Sequence, residues 1–320
     1  MKAVLGIDIA KEKFDVLLID EAGEKRRWEL TNTASGFQKL DKWVKRYTSG
    51  SVHACMESTS VYWEELADYL HEAGYEVSVV NPARIKGYGM SQMRRSKTDA
   101  IDADVIADFC RTQVPKQWIP PSPQQRKLRA LVRHLEALKK TRTQQQNRLG
   151  TCRDTEVAAS LKTILQAIDQ EIEQTQKRLK AFFDQYPDLK EKRQLLESIK
   201  GIGEQTATHL LAEMYDLEQY ENAKAAAADV GITTSHYRSG ATVRRRSKMS
   251  RMGKASVRGA LYFPAMVAIK HNPAVKQLSE RLEAKGKHGR VIQVAAMRKL
   301  IHQAYGVLKN RQPFDPAYAS

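Results

Sequence analysis

An ordered series of short apolar segments at the start of the chain constrains its fold more than any other feature. Strands are predicted over residues 3–9, 14–19 and 26–30, and helices then alternate with strands up to about residue 111. The resulting order is β-β-β-α-β-α-β-α. Three leading strands favour an antiparallel meander that continues into a mixed sheet with helices on its faces. We therefore predict an α/β domain over residues 1–114.

Four acidic residues fall near the ends of these predicted elements. Asp8 interrupts the first apolar strand, where a buried carboxylate is costly unless it is paired or binds a metal. Glu57 follows the fourth strand, and Asp99 and Asp102 share one face of a helix that Thr98 is suited to cap. If the first and fourth strands are neighbours, the four carboxylates meet and can hold divalent metal ions. Acids in a first helical turn are also ordinary helix chemistry, so Asp99 and Asp102 alone do not define a site.

The charge balance predicts a polyanionic partner. Lys and Arg number 53 against 37 Asp and Glu, which gives a formal net charge of +16. No apolar run approaches the roughly 18 residues that a membrane span needs. Three sparse cysteines argue against a disulfide framework and against a zinc site. We expect a cytoplasmic protein that binds nucleic acid and has no membrane partner.

A proline-rich stretch over residues 115–123 ends the predicted α/β domain, and a helical segment follows it. Leucines recur there at heptad spacing, and a second stripe continues after a break near Gly150. An antiparallel helical hairpin and a dimerising coiled coil both explain the pattern, and both are favoured over an RNA-binding arm. We predict a helical, coiled-coil oligomerisation segment over residues 115–186 and a mostly α-helical domain over residues 187–320.

Two glycines and a set of cations mark this last domain. Gly201 and Gly203 separate two short predicted helices in a helix-hairpin-helix pattern, whose backbone N–H groups can face a DNA phosphate. An ordinary αα corner is the alternative. Residues 239–260 contain seven cations and no acid. The predicted nucleic-acid contacts are Arg94, Arg95, Lys97, Gly201, Gly203, Arg244, Arg245, Arg246, Lys248, Arg251 and Lys254.

Ser239 lies beside Gly240 at the edge of the cationic stretch, where a backbone phosphate can reach its hydroxyl. Neighbouring arginines could stabilise a pentacoordinate phosphorus and favour an alkoxide. Serine is common in basic loops, so the local pattern alone gives Ser239 little weight. Three further serines compete with it, namely Ser247, Ser250 and Ser256.

Several motifs in fixed order resemble those of the DEDD insertion-sequence transposases, the bridge-RNA-guided recombinase family. The likeness covers nearly the whole chain. It rests on the segments GIDIAKEK (6–13), MEST (56–59), VNPA (80–83), KTDAIDA (97–103), LLESIKGIG (195–203), YRSG (237–240) and SRMGK (250–254).

The resemblance implies a ribonuclease H-like (RuvC-like) catalytic domain, like a Holliday-junction resolvase, and a C-terminal domain with a helix-hairpin-helix and a catalytic serine. It assigns Asp8, Glu57, Asp99 and Asp102 as catalytic ligands of Mg²⁺ (or Mn²⁺) and Ser239 as the nucleophile. The implied partners are donor and target DNA, a noncoding guide (bridge) RNA, and further copies of the chain. These copies would form dimers that assemble into a tetramer with shared active sites.

Two other functions stay open at this point. In a structure-selective nuclease of the resolvase type, the four acids would hydrolyse DNA and Ser239 would be an ordinary loop residue. In a non-catalytic nucleic-acid-binding protein, the acids would be structural. The second alternative gives no reason for four acids to come from three separate elements.

Overall fold

The computed structural model describes residues 1–58, 60–92, 99–235, 238–239, 243–244, 248–250 and 252–316. The chain divides into two compact units, Met1–Pro121 and Ser122–Ser320. The predicted division into three parts, with a boundary after residue 114 and another after residue 186, stays a prediction.

The first unit contains a five-stranded sheet. Its strands are β1 (Ala3–Ile9), β2 (Lys13–Ile19), β3 (Lys25–Thr31), β4 (Val52–Glu57) and β5 (Glu76–Val80), in the spatial order β3-β2-β1-β4-β5. The first three strands form an antiparallel meander, and β4 and β5 continue it in parallel with β1. This mixed sheet confirms the predicted α/β N-terminal part.

Helices cover both faces of the sheet. They are α1 (Ala34–Tyr47), α2 (Glu64–Glu72), α3 (Pro82–Ser91) and α4 (Asp99–Gln113). Alternate strand residues such as Leu5, Ile7 and Met56 join one core with α1 and α2. The residues between them, including Val4 and Cys55, join a second core with α3 and α4. The central strands β1 and β4 are therefore buried on both sides, as their near-continuous apolar sequence requires, whereas the edge strand β3 is mostly exposed.

The second unit is mostly helical. Two long helices, α5 (Pro123–Thr151) and α6 (Thr155–Gln185), form an antiparallel hairpin, in which Arg142 of the first pairs with Asp169 of the second. The helices that follow are α7 (Pro187–Glu197), α8 (Glu204–Glu213), α9 (Ala223–Val230), α10 (Ala255–Ala260), α11 (Tyr262–His271), α12 (Pro273–Ala284) and α13 (Gly289–Asn310). They share one core with the base of the hairpin, where Leu128, Phe182 and Phe183 are buried.

Four very short strands lie between α9 and α10. They are β6 (Thr234–Ser235), β7 (Arg238–Ser239), β8 (Val243–Arg244) and β9 (Lys248–Met249). The first pairs with the last and the middle two pair with each other, both antiparallel. Within the described ranges, no helix has the length and apolar character that crossing a bilayer requires.

Candidate active site

The register of the central strands brings two of the predicted acids to one edge of the sheet. Ile7 of β1 pairs with Met56 of the parallel strand β4, so Asp8 and Glu57 are the next residues on neighbouring strands. Because alternate residues share a face, both lie on the face of Val4 and Cys55, which is the face that packs against α4. Both are partly accessible to solvent.

A close backbone contact brings the start of α4 to the same place. Gly6, two residues before Asp8, lies directly under this helix. A Cβ at Gly6 would stand 2.7 Å from the Cα of Ala107 and closer still to the Ala103 carbonyl oxygen and the Ala107 nitrogen. Only a glycine allows this approach. Asp102 precedes Ala103 and is half-buried, so it belongs to the same end of the sheet as Asp8.

Asp99 is the first residue of α4, one helical turn before Asp102. Only its backbone is described. Among the side chains within the described ranges, no three His, Cys, Asp or Glu residues form a ready-made metal site. The donor set that surrounds the sheet edge consists of carboxylate oxygens, which are the ligands that Mg²⁺ and Mn²⁺ prefer.

The sequence interpretation overlooked a further acid beside these residues. Asp15 of β2 pairs directly with Asp8 in the antiparallel register, and Glu29 of β3 pairs with Asp15. Asp15 and Glu29 line a shallow groove of about 340 Å³ together with Arg27 and Ala103. The alternation of β2 could have indicated Asp15, because this acid lies on the same strand face as the buried Leu17.

A fork-shaped ion pair ties the first turns of α4 to the sheet. Arg27 of β3 donates from Nε and Nη2 to the two carboxylate oxygens of Asp104, at 3.1 and 2.6 Å. The hydrogen bond to Asp104, together with the negative charge of that carboxylate, raises the pKa of the Arg27 guanidinium above its usual value. Helix α4 packs on β1, β2 and β4, and the pair adds a connection to β3 two residues after Asp102. A separation of 77 residues hides the pair from any local pattern.

One amide joins the two loops that leave this end of the sheet. The side chain of Asn32 donates from Nδ2 to the carbonyl oxygens of Ala10 and Tyr62, at 3.0 and 3.2 Å. Ala10 follows β1, and Tyr62 belongs to the segment after β4. Asn32 therefore links the segment that follows Asp8 to the segment that follows Glu57.

The predicted glycine hairpin of the second unit lies between α7 and α8. Gly201 has a φ of +109°, and a Cβ there would lie 2.8 Å from the Cβ of Ala268 and 2.9 Å from the carbonyl oxygen of Pro264. This glycine is thus required for packing against α11. Gly203 is exposed and precedes α8, whose first turn receives no hydrogen bond from a side-chain cap. Of the two predicted phosphate contacts, only Gly203 has open space around it.

Ser239 ends β7, where it pairs with Val243 of β8. Arg244 and Lys248 lie in β8 and β9, and only the backbone of these three residues is described. Lys254 is engaged within the protein, since its Nζ lies 2.8 Å from a carboxylate oxygen of Asp229. The other predicted contacts Arg94, Arg95, Lys97, Arg245, Arg246 and Arg251, like the predicted cap Thr98, lie outside the described residues.

Positive charge is divided unequally between the two units. Residues 1–121 contain 17 Lys and Arg against 18 Asp and Glu, whereas residues 122–320 contain 36 against 19. The first unit is therefore nearly neutral and the second carries the whole positive excess. A polyanion is attracted to the second unit, while the carboxylates of the first provide ligands for cations.

Two family models match the chain. A DEDD-type transposase model named for IS110 matches residues 5–155, and a model described as the transposase IS116/IS110/IS902 family matches residues 193–280. The chain is also 32% identical to the pilin gene-inverting proteins of Moraxella bovis and Moraxella lacunata over 324 residues, which covers 98% of each chain. These findings exclude the non-catalytic alternative. The chain belongs to the transposases of the IS116/IS110/IS902 family, DNA recombinases that cleave DNA strands and rejoin them.

Proposed function

We propose that this recombinase joins donor to target DNA through a serine nucleophile, with metal-binding carboxylates in a ribonuclease H-like domain and a noncoding RNA as guide. The observation that carries the proposal is the approach of α4 to Gly6. It brings Asp102 to the sheet edge that already holds Asp8 and Glu57 in adjacent register. Asp99, one turn earlier on the same helix, completes the proposed set of four.

The chemistry of the donor set supports this part of the proposal. Four carboxylates from β1, β4 and α4 suit one or two hard divalent cations, Mg²⁺ or Mn²⁺. A bound cation supplies positive charge against a phosphodiester. The protein's own contribution is to hold the carboxylates still, through the Gly6 contact, the Arg27–Asp104 pair and the Asn32 bridge.

In the proposed reaction, Ser239 Oγ attacks a DNA phosphorus and loses its proton. A serine–phosphate ester bond forms, and one bond between the phosphorus and a deoxyribose oxygen breaks. The released deoxyribose oxygen takes up a proton. In the reverse sense, a deoxyribose hydroxyl of the partner strand attacks the ester and frees the serine. The number of phosphodiester bonds is conserved, so no external energy source is needed.

The guide RNA and the assembly are the remaining parts of the proposal. The strongly positive second unit can accommodate RNA as well as DNA. The α5–α6 hairpin offers a long polar surface for self-association into dimers, and we propose that two dimers pair into a tetramer that holds the donor and target duplexes.

The test is a denaturing gel of the full-length protein with Mg²⁺, the noncoding RNA of its element and end-labelled donor and target DNA. Wild type is compared with Ser239→Ala and with the matched controls Ser250→Ala and Ser256→Ala. We expect a protein–DNA adduct that proteinase removes in wild type and both controls, and none in Ser239→Ala.

Each other outcome changes the proposal in a defined way. Cleavage that survives in Ser239→Ala without any adduct would favour the resolvase-type nuclease, in which the acids act alone. An adduct that forms equally well without RNA would contradict guidance. Asp8→Asn should abolish cleavage, and an Asp8→Asn protein that still cuts DNA would contradict the role of the acids.

A further inference from the structure

Helix α11 presents an unusually apolar face to solvent. The four residues at i, i+1, i+4 and i+5 of one stripe, Tyr262, Phe263, Met266 and Val267, are all exposed, and the Phe263 side chain is 72% exposed. Val291, at the start of α13, is also exposed. A contiguous exposed apolar surface of this kind usually marks an interaction site, whereas single exposed apolar residues are common on any protein.

The face is held rigidly from behind. Ala265 and Ala268, on the opposite side of α11, are fully buried, and Ala268 receives Gly201 in close contact. Gln293 of α13 donates from Nε2 to the Tyr262 carbonyl oxygen at 2.6 Å. The rings of Tyr262 and Phe263 meet edge-on at 5.3 Å. A fixed backbone and paired rings reduce the entropy that binding would otherwise cost.

The charges near this apolar face favour a negatively charged ligand. Neither α11 nor α13 contains an acidic residue, and residues 230–279 contain none at all. Lys270 lies one turn beyond Met266, and Arg290 precedes Val291. A second copy of the same face would bring like charges together, which disfavours symmetric self-association. The acids of the neighbouring helix α12, Glu280 and Glu283, come late in that helix. A polyanion with apolar parts matches both the two cations and the aromatic side chains.

We propose that Tyr262 and Phe263 form a stacking platform for unpaired bases of a DNA strand. Bases inside a duplex already stack on each other, so only a separated strand can offer its faces to these rings. Strand exchange by an enzyme that cuts and rejoins DNA produces such strands. The inference rests on the strand-exchange reaction proposed above. It assigns the handling of the opened strand to α11.

The test measures binding alone, in EDTA, so that no cleavage chemistry is required. Fluorescence anisotropy of the full-length protein is recorded with a labelled 20-nucleotide DNA strand and with the duplex of the same sequence, at one fixed salt concentration. Phe263→Ala should weaken single-strand binding about tenfold or more and change duplex binding by less than about twofold. Val267→Ala removes apolar area from the same stripe without removing a ring and should bind as wild type.

Further variants separate stacking from other roles of the face. Phe263→Trp should retain single-strand binding, whereas Phe263→Leu, which stays apolar but lacks a flat ring, should lose it. Equal losses for strand and duplex would overturn the proposal. So would a change of oligomeric state in Phe263→Ala by light scattering, or tighter binding of RNA than of the DNA strand. Because the assay measures binding in EDTA, without cleavage, its outcome does not depend on the serine chemistry.

Discussion

Replacement of Gly6 by alanine tests whether the position of α4 controls the acid site. The added Cβ would stand 2.7 Å from the Ala107 Cα and closer to two further backbone atoms, whereas ordinary contacts begin near 3.4 Å. The helix must therefore move by about 1 Å, and a displacement of that size at a catalytic group lowers a rate by about 100-fold. The overpacking should also lower the free energy of unfolding by about 1–3 kcal/mol.

The assay pairs urea unfolding with a DNA cleavage assay at a temperature where the variant is fully folded. Gly87→Ala is the matched control, because nothing lies within 4 Å of its would-be Cβ in α3 and alanine suits a helix. Gly87→Ala should keep wild-type activity and stability. Since the atoms that the new Cβ meets belong to the backbone, trimming side chains of α4 should not rescue Gly6→Ala. A fully active Gly6→Ala protein would refute the link between the helix position and the site.

Two ion pairs give further predictions. The double variant Arg27→Asp with Asp104→Arg exchanges the two charges and should restore much of the DNA cleavage that either single variant loses. We expect a coupling free energy of about 0.5–1 kcal/mol in a double-mutant cycle. Strictly additive losses would contradict a positioning role for the pair. In the second unit, burial disfavours a charged Glu213, but its two hydrogen bonds from Arg133 and the charge of that residue hold the Glu213 pKa below its usual value. A carboxyl with a lowered pKa contributes stability that is complete above about pH 4.5 and is lost as the pH falls through the folded-state pKa. Arg133→Met should therefore lower the free energy of unfolding by about 2–3 kcal/mol at pH 7. In urea titrations this loss should become smaller below pH 4.5. A deficit that is constant with pH would show that the pair does not control this carboxyl.

Local patterns predicted the five strands because apolar runs and alternation are short-range signals, whereas the neighbourhood of the first and fourth strands entered only as a condition. The antiparallel meander and its continuation into a mixed sheet were both confirmed. Helix α3 was missed, because the predicted order β-β-β-α-β-α-β-α has a single helix after the fifth strand and the structure has two. The Asn81 side chain caps the helix and Pro82 occupies its first turn. An Asn-Pro pair after a strand is compatible with a loop as well as with the start of a helix, so the local sequence does not distinguish the two.

The candidate site was partly predictable for the same reason. An aspartate inside an apolar strand is a strong local signal, so Asp8 could be identified from sequence. Asp15 and Arg27 could not, because their relevance depends on strand register and on a partner far along the chain. The short strands around Ser239 were also missed, since two-residue pairs have too little alternation to be recognised.

The distribution of the three cysteines makes the protein convenient for site-selective chemistry. Cys55 of β4 and Cys110 of α4 are buried in the core between the sheet and that helix, whereas Cys152 is partly accessible between α5 and α6. Maleimide reagents react with accessible thiols far faster than with buried ones. A single dye can therefore be attached at the tip of the long hairpin without any engineered substitution. A dye at Cys152 would report on the hairpin surface that we propose for self-association.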